Sequence, residues 1–224
     1  MENKSFFSQN IVGIILLAIP YILIAVFWND LPEKIPMHWN VEGEVDSYGS
    51  KAFGIFALPV FNVILFVLFL ILPKIDPRQK NYRFFGTSYN IIRIGLNSFM
   101  LVLFIIILAA SLGYELNIGL IVIYLTLTLF LVIGNLFGKI RPNYFLGLRT
   151  PWTLDNEEVW RKTHRLAGAI WVWSTVVMFI LAAVMPITKF VYVYFSYVGL
   201  IVLVPLIYSY KYHKDYLKDN PNNE

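Results

Sequence analysis

The stretch from Ile94 to Gly138 reads IGLNSFMLVLFIIILAASLGYELNIGLIVIYLTLTLFLVIGNLFG, and Glu115 is its only charged residue. Two apolar runs, Ile94–Leu112 and Ile118–Gly138, flank a short polar break, Tyr114–Asn117. Each run approaches the ~20 residues that an α-helix needs to cross ~30 Å of hydrocarbon. A break this short joins two helices only as an antiparallel hairpin.

Outward from this hairpin the pattern recurs four times, at Asn10–Trp28, Phe53–Leu72, Leu166–Pro186 and Phe190–Tyr210. None of these runs contains Asp, Glu, Lys or Arg. Composition agrees: 58% of residues are hydrophobic and 14% are charged, against about a quarter charged in soluble domains. The expected fold is an all-α integral membrane protein with six transmembrane helices. The first run is long enough to span and no small-residue cleavage site follows it, so it reads as a retained helix rather than a signal peptide. No segment between runs is long enough to build a soluble core of its own. There are no cysteines, which excludes disulfides and cysteine metal sites.

The net charge of +4 and pI near 9.1 come from basic residues that flank the runs. That placement signals orientation rather than nucleic-acid binding. With the N-terminus inside, fifteen of the eighteen Lys and Arg residues fall on the cytoplasmic side, Lys4 and Arg93 among them. The outside keeps Lys34, Lys51 and Lys189. Both termini are therefore expected in the cytoplasm, with the chain multi-pass in the membrane. The tail Lys214–Glu224 is polar and expected to fray.

Two connections are longer than joining helices requires. The first, 29–52, is expected outside. Pro32 and Pro36 hold it extended, Gly43 and Gly49 are turn candidates, and alternation around Ile35, Met37 and Trp39 suits a strand in a hairpin. Its acids, Glu33, Glu42, Glu44 and Asp46, outnumber Lys34 and Lys51, so it attracts a cationic or amphipathic ligand. His38 with Glu42, Glu44 and Asp46 has the residue types of a metal site. One histidine among flexible acids lacks the rigid set of a tight transition-metal site, and a solvated loop with Trp39 at the headgroups is the plainer reading.

The second connection, 139–165, is expected inside. Pro142 ends the preceding helix and Gly147 permits a bend. Asp155 reads as an N-cap with Glu158 at N3, and Pro151 discourages an earlier start. Glu157–Arg161 and Glu158–Lys162 are i,i+4 pairs. Trp160, His164, Ala167 and Trp171 share one face, which predicts a short interfacial helix leading into the fifth span. His164 lies among Arg161, Lys162 and Arg165, which favours its neutral form. Capping and ion pairing account for the carboxylates, and no zinc-binding His pair, nucleophile elbow or phosphate loop is present, so no catalytic residue, cofactor or metal is expected. Within the runs the polar residues are sparse, namely Asn62, Asn97, Asn135, Ser98, Thr126, Thr128, Ser174 and Thr175, and the asparagines are expected to bond between helices. The lack of ionisable residues there speaks against an ion-coupled transporter. Pro20, Pro59 and Pro205 are candidate kinks.

Ile35-Pro-Met-His-Trp-Asn40, with Gly43, Asp46 and Lys51, resembles a short bacterial membrane domain of uncharacterised function. Lys139-Ile-Arg-Pro-Asn-Tyr-Phe-Leu-Gly-Leu-Arg-Thr-Pro-Trp-Thr-Leu154, then Glu158-Val-Trp160 and Lys162-Thr-His-Arg165, resembles the signature of the SdpI family. Ser111–Asn117 is similar to that family's outer turn. The resemblance implies two units: 1–92, with two spans and the extracellular loop 29–52, and 93–224, with four spans and the cytoplasmic loop 139–165.

In function, the resemblance implies an immunity protein that protects against a secreted, membrane-active peptide toxin. It further implies signalling, by holding a cytosolic autorepressor at the membrane. The expected toxin-sensing residues are His38, Trp39, Asn40, Gly43, Asp46 and Lys51. The expected docking residues are Pro142, Asn143, Gly147, Arg149, Thr150, Pro151, Trp152, Thr153, Trp160 and His164. One alternative is a small exporter of an amphiphilic peptide or lipid, which energy-dependent efflux would favour. Another is a membrane enzyme, which metal dependence or loss of function at His38 or His164 would favour.

Overall fold

The computed structural model describes residues 6–40 and 42–220. Among them are six helices long and apolar enough to cross a membrane. They are α1 (Phe6–Phe27), α2 (Lys51–Ile75), α3 (Tyr82–Ser111), α4 (Ile118–Phe137), α6 (Glu157–Val184) and α7 (Ile187–Asp219). A five-residue helix, α5 (Pro151–Asp155), precedes α6, and a hairpin of β1 (Lys34–Trp39) and β2 (Val45–Ser50) precedes α2. Lys4, part of the charge count, lies outside the described residues.

Every apolar run coincides with a helix, but three helices overrun their runs by two turns or more. Helix α3 begins at Tyr82, α6 at Glu157, and α7 continues to Asp219. The run marks the stretch apolar enough to cross hydrocarbon, while backbone hydrogen bonds carry the helix on into polar sequence. Two corrections follow. Residues 214–219 are helical rather than frayed, and the turns holding Trp160 and His164 belong to α6 itself rather than to a separate interfacial helix. Helices α1, α2 and α7 continue through Pro20, Pro59 and Pro205. The non-helical backbone inside a helix falls instead at Phe85 of α3 (φ −131°, ψ 21°).

The chain forms two compact units, and α2, α3 and α4 each contribute residues to both. Unit one comprises Met1–Leu70 and Arg93–Leu125. Its core gathers Ile24, Ile35, Ile55, Leu101, Phe104 and Leu108. Ile35 of β1 is fully buried and sits against Gly54 of α2, where a side chain would collide with it. Burying this isoleucine is worth roughly 1.5–3 kcal/mol and pins the hairpin to the helices. Asn97 donates to the side-chain oxygen of Asn62 at 2.6 Å, and Asn62 donates to the Asn97 carbonyl at 3.2 Å. The two asparagines thus join α2 to α3, as their placement in apolar runs predicts. Arg93 is a further buried polar group in α3: it donates to Asn10 at 2.6 Å and lies 5.6 Å from the Phe66 ring.

Unit two comprises Ile71–Ile92 and Thr126–Glu224. Gly134 and Gly168 let α4 and α6 cross closely, since a Cβ on Gly168 would lie 2.8 Å from the Gly134 carbonyl. Trp171 donates to the Ile201 carbonyl at 2.9 Å, Thr175 bonds Tyr197 at 2.6 Å, and Tyr194 donates to Thr126 at 2.6 Å. Asn135 is exposed and makes no such bridge.

Candidate functional site

The 139–165 connection turns back on itself around side chains that sequence alone presents as polar. Asn143 is fully buried. Its oxygen accepts from the backbone N–H groups of Phe145 (2.9 Å) and Leu146 (2.6 Å), and its amide donates to the carbonyls of Arg141 (2.9 Å) and Leu146 (3.1 Å). All its hydrogen-bonding capacity goes into shaping one turn. Gly147 then takes φ +97°, and a Cβ there would run into the His164 ring. Leu148 donates its N–H to His164 Nε2 at 3.0 Å, and His164 Nδ1 donates to the Trp160 carbonyl at 2.8 Å. This pair of bonds requires the neutral Nδ1–H tautomer. Burial and complete use of both nitrogens, rather than the neighbouring cations, therefore explain a neutral His164. The Trp160 ring stacks on it at 4.0 Å and donates to the Ile140 carbonyl at 2.8 Å.

Helix α5 opens with a reciprocal cap. Thr150 and Thr153 exchange side-chain to backbone bonds at 2.8 and 3.2 Å, with Pro151 in the first helical turn. Pro151 thus starts a helix instead of delaying one, consistent with its fixed φ and missing N–H. The cap of α6 is Asn156, not Asp155: Asn156 is extended, and its oxygen accepts from Glu158 (2.9 Å) and Val159 (3.0 Å). Asp155 ends α5. The acidic partner also differs, since Glu158 bonds Arg161 at i,i+3. Trp152 reaches α7, donating to Ser209 at 2.6 Å and packing edge-on to Tyr210.

Sequence reasoning missed the other half of this cluster. Asp76, at the end of α2, is 2% exposed. It accepts from the Arg78 N–H (2.7 Å), the Tyr82 hydroxyl (2.9 Å) and the Tyr144 N–H (2.9 Å). Nearby, Arg78 donates to the Leu154 carbonyl at 2.5 Å and Asn81 to the Pro142 carbonyl at 2.7 Å. The turn 76–82 thus clasps both ends of the 142–154 segment. Its only local signal is an acid followed by proline at a helix end. Asn143, Thr150, Thr153, Trp160 and His164 face inward, whereas Arg141, Tyr144 and Arg149 remain exposed. Arg149 donates to the Tyr144 carbonyl at 2.7 Å.

The 29–52 connection is built differently. Asn40 accepts from the Glu44 N–H at 2.8 Å, and Gly43 (φ +86°) makes the turn between the strands. His38 Nδ1 donates to Asp46 at 2.6 Å on the exposed surface. Lys51 lies 4.9 Å from the Trp28 ring. Among the described residues no group of three or more His, Asp or Glu is arranged to hold a metal ion. The strand register slips between Pro36 and Trp39. The bulge turns Trp39 away from the side of Ile35 and toward that of Lys34 and Pro36. Those residues, with Tyr48, face the turn between α3 and α4 across an open cleft of about 650 Å³. Tyr114 and Glu115 form part of the opposite wall. Of the six residues expected to sense a ligand here, only Trp39 lines the cleft.

Comparison with known proteins identifies this framework. Residues 139–209 match the SdpI/YfhL protein family, and residues 15–63 match a domain of unknown function, DUF1648. The chain is 32% identical over 213 residues to the immunity protein SdpI of Bacillus subtilis (strain 168), covering 92% of this chain and 97% of that one. No solved structure matches. Likeness along nearly the whole length, together with the motif that wraps around His164, establishes that the chain belongs to the SdpI/YfhL protein family.

Proposed function

We propose that this protein is a bacterial membrane immunity protein that protects against a secreted, membrane-active peptide toxin. The similarity to an immunity protein over 92% of the chain carries the reading. In this proposal both termini and the 139–165 connection lie in the cytoplasm and the hairpin lies outside. The distribution of Lys and Arg supports that orientation. The chain has no cysteine, so Ser47→Cys and Asp155→Cys can each be introduced alone. An impermeant thiol reagent on intact cells should label the first and not the second. Labelling of both would reject the orientation.

The second part of the proposal is that the inner connection docks a cytosolic autorepressor. Arg141, Tyr144, Arg149 and Pro151 are exposed side chains available to touch it, with Asn143, Trp160 and His164 holding the backbone beneath. Ligand binding outside passes the signal inward only if it favours one helix packing over another. Protection is tested by expressing the protein in a sensitive bacterium challenged with membrane-active peptides. Alanine at Asn143, Arg149, Trp152 or Trp160 should abolish it while insertion persists. Arg149→Ala is the informative variant, because it removes an exposed group and leaves the buried framework intact. Undiminished protection in all four would exclude the inner connection as a functional element.

A further inference from the structure

We infer that the cleft between the hairpin and the α3–α4 turn binds a short segment of a cationic amphipathic peptide. The inference rests on the immunity reading for the biological source of that peptide and on unit one for its site. The volume, about 650 Å³, is within the range of specific ligand sites and suits a few side chains rather than a folded partner. Its walls present Trp39, Tyr48 and Tyr114, and both tyrosines are more than half exposed. Three aromatic rings around an open cleft suit an apolar or aromatic side chain and also the face-on approach of a cation.

Charge selects the sign of the ligand. The segments that build the cleft, 29–52 and 111–118, carry six acids: Asp30, Glu33, Glu42, Glu44, Asp46 and Glu115. Against them stand Lys34 and Lys51. This surface is therefore net −4 in a chain whose total is +4. Lys51 lies over the Trp28 ring, and His38 is paired with Asp46. Lys34 and Glu115 are the charged side chains in the cleft walls. The surplus carboxylates lie on the same two segments, so an arriving lysine or arginine is drawn toward Glu115 and its apolar neighbours toward the rings.

The test uses the full-length protein in phosphatidylcholine nanodiscs, with empty nanodiscs subtracted. The probes are a dye-labelled synthetic Lys/Leu/Trp amphipathic peptide and its Glu-for-Lys counterpart. The lysine peptide should bind saturably and at least tenfold more tightly than the glutamate peptide. Glu115→Lys and Tyr114→Ala should each weaken binding at least fivefold. Asp215→Lys makes the same charge reversal near the end of α7 and should leave binding unchanged. Absence of saturable binding, equal affinity for both peptides, or wild-type binding in both cleft variants would overturn the inference. Binding in the expected pattern without protection in cells would retire the immunity reading and keep the cleft. Protection that survives both cleft substitutions would retire the cleft and keep the immunity reading.

Discussion

In the 29–52 connection the polar side chains pair on the surface: His38 and Asp46 are 68% and 44% exposed. In the 139–165 connection they pair inside, where Asn143, Thr153 and His164 are at most 1% exposed. Both segments use a glycine in the left-handed region and side-chain to backbone bonds to turn the chain. They differ in what breaking a bond would cost. A surface pair exchanges its partner for water, whereas a buried donor left unsatisfied costs about 1–3 kcal/mol. The hairpin's surface pairs can therefore re-form with water at little cost, while the buried bonds of the inner connection cannot. Those opposite properties suit the sensing and docking roles proposed above.

Asp76 gives the strongest test of this contrast. Three donors converge on its carboxylate, and Asp76→Asn keeps the size while replacing one acceptor oxygen with a donor. The expected loss is about 3 kcal/mol, since bonds to a charged acceptor contribute ~1.5–3 kcal/mol each and not all are forfeited. Denaturant titration in detergent reads the loss, and limited proteolysis should cut first within 139–165. A change below about 1 kcal/mol would mean that the inner connection is not held from the 76–82 turn.

The glycines offer a matched pair. Gly147 and Gly43 share the left-handed region (φ +97° and +86°), where a Cβ costs roughly 1–2 kcal/mol. At Gly43 nothing lies within 4 Å of the added atom, while at Gly147 it strikes the His164 ring that accepts the Leu148 N–H. Gly147→Ala should therefore cost about 2 kcal/mol more than Gly43→Ala, the extra coming from the displaced histidine. Equal losses, measured by the same titration, would show that the His164 bond contributes little.

The same contrast explains what was legible in the sequence. Six long apolar helices were readable because absent charge over about twenty residues is a local signal. The hairpin was readable from proline, glycine and alternation, all local as well. The inner motif was recognisable as a pattern, yet its logic was hidden. Asp76 meets Tyr144 from 68 positions away, and nothing near Asp76 announces that partner. Asp155 and Asn156 compete for one cap with nearly equal intrinsic preference, so tertiary packing decided in favour of Asn156. Likewise the sequence suggests Trp39 as a headgroup anchor, whereas the cleft that it lines needs Tyr114 and Glu115 from a distant turn.

The smallest effect is expected at the exposed pair, and that makes it the sharpest check on the hairpin half of the contrast. His38 and Asp46 are 2.6 Å apart, a distance that by itself suggests strength. Exposure argues otherwise, because both groups recover water when separated and ordering them costs side-chain entropy. Exposed ion pairs contribute ~0.2–1 kcal/mol, so His38→Ala should lower stability by about 0.5 kcal/mol. Adding Asp46→Asn to His38→Ala should cost almost nothing more if the histidine is the carboxylate's principal partner. A loss of about 2 kcal/mol or more in the single variant would mean that the pair holds the hairpin rigid, and the 29–52 connection would then be as locked as its inner counterpart.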